Sequence, residues 1–223
     1  MKLMAALFLT GVVGTALASP SADFRKRCDE LLNQKSKTKE AQRLHALFGA
    51  HWEYSMQEFP ESATWRGYPG QNARWTDYSL ESVDRRKDDT QTALKVVQSI
   101  NRTKLSVADQ LNFDLFNRNL ELEHAGQQFP QHLLVISQMD GIQRSLTSML
   151  RMMPARKVSD YEDILARLRG TEKLVDQTID LLDVGLKMRV TPPKICLRDL
   201  AEQVSKQITK NPMDSPLLRP FRE

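Results

Sequence analysis

The stretch from Ser159 to Leu168 reads SDYEDILARL and opens the clearest helical pattern in the chain. Its first four residues form a capping box, in which Ser159 accepts a hydrogen bond from a backbone N–H in the first turn. Apolar side chains then recur at steps near 3.6 residues, at Tyr161, Ile164, Leu165, Leu168, Val175, Ile179, Leu182 and Leu186. The pattern predicts one long helix that ends before Thr191-Pro192-Pro193, because proline lacks an amide hydrogen and clashes with the preceding turn.

The same periodicity extends over much of the remaining chain. It predicts helices at Lys39 to about Glu58, Leu80 to about Ile100, Ser106 to Pro130 and Leu197 to about Thr209. The expected caps of the first three are Thr38, Ser79 and Ser106. No stretch alternates apolar and polar residues between turn signals, as a strand would. The sequence therefore predicts an all-α fold, a multi-helix array of long amphipathic helices.

The composition is that of a folded protein. Of the 223 residues, 40% are hydrophobic and 27% are charged, and the 9 glycines are too few for many tight hairpins. The formal net charge is only +4. The basic clusters at 25–27 and 85–87 have acidic residues close by, at 29–30 and 88–89. Because a nucleic-acid surface gathers basic residues without interleaved acids, we predict no nucleic-acid partner.

The first eighteen residues have the pattern of a secretory signal peptide. Met1 and Lys2 give a positive start, and Leu3–Ala18 is an uncharged, mostly apolar run that closes on the A-x-A cleavage site Ala16-Leu17-Ala18. The run is shorter than the roughly 20 residues of a membrane span, although an uncleaved anchor is the alternative. We predict an exported protein, periplasmic or secreted, with no membrane-spanning segment after removal of the signal.

Cleavage at this site would make Ser19 the first residue of the mature chain. Residues 19–37 would then be a charged N-terminal segment, and residues 38–223 the helical domain. Export places the two cysteines, Cys28 and Cys196, in an oxidising compartment. Sequence alone does not bring them within bonding distance, so a disulfide and two free thiols both stay open.

An aromatic-rich stretch interrupts the helical pattern. Eight of the fifteen aromatic side chains, including all three tryptophans, lie between Phe48 and Tyr78. Aromatic-rich loops line subsites for peptides or sugars, and they also pack loops onto the helices beneath them. The pattern favours packing of these side chains, and ligand contact is the alternative, with Trp65, Tyr68 and Trp75 as the candidate contacts.

The sequence lacks the motifs of several kinds of catalytic chemistry. It has no H-E-x-x-H zinc helix, no G-x-S-x-G nucleophile elbow and no glycine-rich phosphate loop. Glu121 and His124 form one Glu-x-x-His pair, whereas four-helix di-metal sites use two such pairs and two further glutamates. The remaining histidines are His45, His51 and His132. We predict no catalytic residue, no metal site and no cofactor in this chain.

Four stretches are similar, in the same order, to segments of one protein family. They are Ala50–Gly67, Asp160–Leu168, Thr191–Lys194 and Ser215–Phe221. On these motifs the chain, from about Leu44 to its last residue, resembles the N-terminal half of the domain of unknown function 885 family. This is a large, mostly bacterial and exported family.

The resemblance implies a helical relative of gluzincin metallopeptidases, similar to angiotensin-converting enzyme and related carboxypeptidases. It also implies that family members carry zinc on a His-Glu-x-x-x-Gly-His-His type helix, in the half that follows the counterpart of Ser215–Phe221. The chain stops at Glu223. It is therefore expected to be an incomplete portion that lacks the zinc-binding half and is inactive alone. Zinc is expected only in a full-length family member, the partner is a missing C-terminal catalytic half, and the ligand is a peptide.

The resemblance adds a fourth candidate cleft contact, Gln138. Where this chain has residues 138–143, the family often reads Gln-x-Gly-Gly followed closely by a histidine. Gln143 holds the place of that histidine here.

A freestanding periplasmic or secreted binding or scaffold protein is the alternative function. An incomplete protein should leave apolar side chains uncovered, and Leu174 and Leu181 lie off the main apolar stripe of the long helix. We expect these two leucines to remain exposed.

Overall fold

The computed structural model describes residues 19–35 and 37–221. The predicted signal peptide, residues 1–18, lies outside this range, so its cleavage and the export of the chain remain predictions. The described residues contain helices and no strand, which confirms the all-α prediction. The α-helices are α1 (Pro20–Asn33), α2 (Glu40–Glu58), α3 (Pro60–Trp65), α4 (Leu80–Gln98), α5 (Val107–Gly126), α6 (Ile142–Met152), α7 (Val158–Arg169), α8 (Thr171–Met188) and α9 (Leu200–Ser205).

Helices α1, α2, α4 and α5 pack around one apolar core. Its buried side chains are Phe24, Cys28, Leu31, Leu47, Ala50, Tyr54, Ala93, Val96, Val97 and Leu120. The charged segment of residues 19–37 thus contains a helix that sequence analysis does not predict. The α1 stripe of Phe24, Cys28 and Leu31 has helical spacing, and full burial of one such side chain stabilises a fold by about 1.5–3 kcal/mol.

A buried carboxylate ties α1 to α2 and α4. Asp89 of α4 is 1% exposed and accepts hydrogen bonds from Ser21 Oγ (2.7 Å), Tyr54 Oη (2.9 Å) and Arg25 Nε. Arg85, one turn earlier on α4, lies 3.4 Å from the second carboxylate oxygen. The charge of Asp89 is therefore both paired and hydrogen-bonded, which is the condition for burying a carboxylate at low cost.

The predicted long helix is two helices, α7 and α8, which meet at Gly170. In a continuous helix the carbonyl oxygen of Arg167 would accept from the backbone N–H of Thr171. Here it accepts instead from Trp75 Nε1 at 2.7 Å and from Thr171 Oγ1 at 3.3 Å. A Cβ at Gly170 would lie 3.2 Å from Trp75 Cδ1, so the absence of a side chain lets the indole approach.

The break changes which face of α8 is buried. Leu174 and Leu181 are 6% and 1% exposed, so the expectation that they stay uncovered is wrong. They share the buried face with Thr178 and Gly185, whereas Ile179 and Leu186 of the predicted apolar stripe are exposed. Because threonine and glycine are not counted as hydrophobic residues, the spacing of hydrophobic residues does not identify this packing face.

The capping residue of α7 also differs from the prediction. Ser159 is an exposed residue of the first turn, and the helix begins at Val158 with Lys157 as its N-cap. The carboxylate of Asp160 accepts hydrogen bonds from the backbone N–H groups of Arg156 (2.9 Å) and Lys157 (3.2 Å). An acidic side chain inside the helix therefore satisfies the amides that precede it, and the hydroxyl of Ser159 is not needed.

The other predicted caps and ends fit in part. Ser79 accepts from Ser82 N–H (3.3 Å) and Ser106 from Asp109 N–H (3.1 Å), which confirms both caps. The N-cap of α2 is Lys39 rather than Thr38, and its side chain makes no capping bond. The last predicted helix shortens to α9, and α6 is not predicted.

The two cysteines are free thiols in the structure. Cys28 is fully buried in the core that α1, α2, α4 and α5 share, and Cys196 is partly exposed in the 3-10 turn of Lys194–Leu197. None of the described helices combines the length and the apolar character that crossing a membrane requires.

Candidate functional site

The aromatic segment between α3 and α4 is held in place by one buried arginine. Arg167 of α7 is fully buried, and its guanidinium donates to the carbonyl oxygens of Arg74 (2.9 Å) and Gln71 (3.2 Å) and to Thr64 Oγ1 (3.1 Å). The same guanidinium lies 4.9 Å from the centre of the Trp75 ring. Burial lowers the pKa of Arg167 to about 10, so the side chain is still a cation at neutral pH.

A second set of contacts fixes the end of this segment to α8. Asp77 accepts from Gln177 Nε2 (2.8 Å) and from Lys173 Nζ (3.1 Å), and Tyr78 N–H donates to Gln177 Oε1 (3.0 Å). The segment that joins α3 to α4 therefore bridges the first group of helices to α7 and α8.

This junction forms a cleft of about 470 Å³ between α3, the aromatic segment, α6 and α8. Four aromatic side chains line it: Phe59, Trp65, Trp75 and Tyr78. The apolar lining also includes Val135, Ile142, Met149 and Leu174. A volume of this size lies within the range of small-molecule and cofactor sites.

The structure brings two of the four predicted contact residues to the cleft. Trp65, at the end of α3, is 65% exposed, and Trp75 is anchored by its bond to Arg167. Tyr68 and Gln138 are not among the residues that line it. The backbone N–H of Tyr68 donates to Ala63 O within the turn after α3.

Gln138 is held in the structure through its backbone. Its N–H donates to Cys196 O (2.6 Å), and its carbonyl oxygen accepts from Arg144 Nη1 (3.2 Å) and Gln203 Nε2 (3.1 Å). These bonds attach the loop before α6 to the C-terminal part of the chain. The neighbouring Gln143 is buried and donates to Ser137 O at 2.8 Å, so it supports the same loop.

Two carboxylates of the cleft were missed by sequence analysis. Glu61 on α3 accepts hydrogen bonds from the backbone N–H and the hydroxyl of Thr76. Asp140 precedes α6 and accepts from Gly141 N–H at 2.8 Å. Glu61 lies in Ala50–Gly67, a stretch that carries the family resemblance, and that position is the sequence signal that could have identified it. Asp140 lies in the 138–143 loop, where the chain departs from the family pattern.

The cleft is acidic. Its described lining includes Glu61 and Asp140 but no lysine, arginine or histidine. Neither carboxylate has a basic side chain within 4.0 Å among the described residues, whereas Glu58 and Asp89 each pair with arginines. Burial and the nearby charge of Glu61 raise the pKa of Tyr78, so this phenol stays protonated in the cleft.

The described residues do not fit a zinc site. No three of their histidine, cysteine, aspartate and glutamate side chains come close enough to hold a metal ion. The Glu-x-x-His pair is engaged locally on α5: Glu121 accepts from Asn117 Nδ2 at 2.7 Å, and His124 Nδ1 lies 3.1 Å from Gln127 Oε1. Tetrahedral zinc needs three or four converging ligands.

The model of a family described as "Bacterial protein of unknown function (DUF885)" matches residues 60–223. The chain belongs to this family. The DUF885 match begins at Pro60, so it includes both carboxylates and all the lining residues of the cleft except Phe59, while α1 and α2 precede it. A search of curated proteins finds no match.

Proposed function

We propose that the chain forms one wall of the peptide-binding cleft of an exported, metallopeptidase-like protein, and that it does not carry the catalytic zinc. The observation that carries this proposal is the aromatic cleft of about 470 Å³, which lies almost wholly within the DUF885 match. Its anchored walls support a site that exists before the ligand arrives. A preformed site binds its ligand with less loss of conformational freedom.

The chemistry of the cleft suits binding better than catalysis. Glu61 is engaged by Thr76, and no histidine is among the described residues that line the cleft. His51 packs between Phe24 and Phe116, with ring centres 5.9 and 5.1 Å away, and His45 pairs with Asp109 near the start of α5. We therefore propose that the metal and the general base come from a separate helical unit of the same family.

An uncovered apolar stripe on α5 supports the existence of such a partner. Its three leucines at helical spacing are each more than half exposed: Leu111, Leu115 and Leu122. Val107, at the start of the same helix, is also exposed. Proteins that are complete by themselves rarely leave a contiguous apolar face in water. The proposed occupant is the zinc-carrying half of a DUF885 protein.

Co-expression with that half tests the proposal. A DUF885 segment that carries the His-Glu-x-x-x-Gly-His-His signature should co-purify with the chain. At about 100 times its dissociation constant it should raise the melting temperature by roughly 5–10 °C. The mixture should cleave a fluorogenic peptide, and the chain alone should bind that peptide without cleaving it.

Matched variants on α5 sharpen the experiment. Leu111→Asp should abolish co-purification, and Asn112→Asp, which adds the same charge at an exposed neighbouring position, should not. A monodisperse, stable monomer that ignores the added half would overturn the proposal. That result would favour the freestanding binding or scaffold protein.

A further inference from the structure

We infer that the cleft binds a cationic group, the guanidinium or ammonium of an arginine or lysine side chain. The inference rests on the proposed function in that it places this cation on the bound peptide. It combines three observations: the cavity between α3, α6 and α8, the unpaired carboxylates in its lining, and the open aromatic surface at Trp65.

The charged side chains of the described cleft lining are both acidic. They are Glu61 and Asp140, and neither forms an ion pair within 4.0 Å in the described part of the chain, although the charges of Glu61 and the buried Arg167 act on each other at longer range. A carboxylate offers about four acceptor positions, and Thr76 supplies only an N–H and a hydroxyl to Glu61. Acceptor capacity therefore remains for a donor from outside the chain. The two carboxylates of the lining favour a cation over an anion at this surface.

The aromatic side chains in and near the cleft offer surfaces that attract cations. Arginines of the chain itself already lie over three nearby rings: Arg66 over Trp52 at 5.9 Å, Arg86 over Phe59 at 5.6 Å and Arg167 over Trp75 at 4.9 Å. Trp65 lines the same cleft, is 65% exposed and lies under no such cation in the described residues. Tryptophan is the aromatic side chain with the strongest cation–π attraction.

The shape of the cleft accommodates the rest of a basic side chain. Arginine and lysine carry three or four methylene groups before the charge, and these groups favour apolar surfaces. Ile142, Met149 and Leu174 supply such a surface beside the two carboxylates. The methylene stem can lie on this lining while the charged head contacts the carboxylates and the aromatic rings of the same cleft.

Two peptides that differ only in charge test the inference. Acetyl-Ala-Arg-Ala-amide and its citrulline analogue have nearly the same shape, and only the first is a cation. Titration of the full chain, followed by tryptophan fluorescence and calorimetry, should give about tenfold tighter binding of the arginine peptide at low salt. The preference should shrink as salt is raised, because the carboxylates are partly exposed.

Three variants locate the site. Glu61→Gln and Trp65→Ala should each remove most of the preference for the arginine peptide. Asp176→Asn is the control, because it removes one exposed acidic charge from α8 at a residue that does not line the cleft. Trp65 is exposed, so its loss should not unfold the chain, and circular dichroism verifies the helical content of each variant.

The outcomes separate this inference from the proposed function. Equal binding of both peptides would overturn the cation inference and keep the peptide cleft. Binding of agmatine, a small guanidinium probe, without binding of either peptide would support the cation site and contradict the peptide function. A charge preference that Asp176→Asn removes as fully as Glu61→Gln would overturn the proposed location.

Discussion

Trp75 and Arg167 contact each other in two ways, through one hydrogen bond and one cation–π contact. The Trp75 indole N–H donates to the Arg167 carbonyl oxygen at 2.7 Å, and the Arg167 guanidinium lies 4.9 Å from the Trp75 ring centre. The first contact diverts an acceptor from the helix and separates α7 from α8. The second holds the aromatic segment that walls the cleft. One pair thus sets both the helix break and the site.

Removal of the indole N–H should weaken this junction. Trp75→Phe keeps an aromatic ring but loses the hydrogen bond and weakens the cation–π contact, so the free energy of unfolding should fall by about 1–2 kcal/mol. Urea denaturation measures the change. Trp65→Phe is the matched control and should alter stability by less than about 0.5 kcal/mol, since its side chain is mostly exposed. Equal effects of the two substitutions would contradict the anchoring role of Trp75.

The capping arrangement of α7 predicts opposite results at neighbouring positions. Asp160→Ala removes the acceptor of two backbone N–H groups and should lower the free energy of unfolding by about 1 kcal/mol. Ser159→Ala should leave the free energy of unfolding unchanged, because Ser159 follows the N-cap by two positions and its side chain is exposed to solvent. Thermal melts of both variants decide between them, and a larger loss for Ser159→Ala would restore the serine cap.

Local sequence patterns predicted only part of what neighbours in sequence determine, since Ser79 and Ser106 cap their helices whereas Thr38 and Ser159 do not. The caps at Ser79 and Ser106 need only an N–H three residues ahead, and both form. The break at Gly170 depends on Trp75, which bonds to a residue 92 positions away, and no periodicity reports such a contact. Helix α1 was missed because the charges around Phe24 and Cys28 obscure its apolar stripe.

The candidate site was predictable to a similar extent. Trp65 and Trp75 stood out because aromatic residues are concentrated in one stretch, and both line the cleft. Glu61 and Asp140 carry no pattern of their own. They share one cavity only because α3 and α6 come together in the folded chain, so their common electrostatic role required the structure.

A partly buried histidine should make stability depend on pH. His51 packs against Phe24 and Phe116, and burial lowers its pKa below the ordinary 6.5, although Glu123 opposes the shift. Below pH 6.5 the unfolded chain therefore binds a proton more readily than the folded chain. Stability should be fully present above pH 6.5 and fall as the pH drops towards 5, by at most about 1.4 kcal/mol per pH unit.

The comparison that isolates His51 uses a variant that does not titrate. His51→Phe keeps an aromatic ring between Phe24 and Phe116 and should flatten the curve of unfolding free energy between pH 7 and 5. Denaturant melts of both chains across this range provide the curves. Parallel curves for the two chains would assign the acid sensitivity to other groups.

Two helical glycines should respond in opposite directions to the same substitution. A Cβ at Gly185 of α8 would lie 2.7 Å from the carbonyl oxygen of Val190. The backbone of Val190 is held in place because its N–H donates to Gly185 O at 2.8 Å. Gly185→Ala should therefore destabilise the chain by about 1–3 kcal/mol, despite the better helix propensity of alanine. Gly49 of α2 has no heavy atom within 4 Å of an added Cβ, so Gly49→Ala should stabilise it by about 0.5–1 kcal/mol. Paired urea melts test both signs, and a stabilising Gly185→Ala would mean that α8 does not pack closely at its C-terminal end.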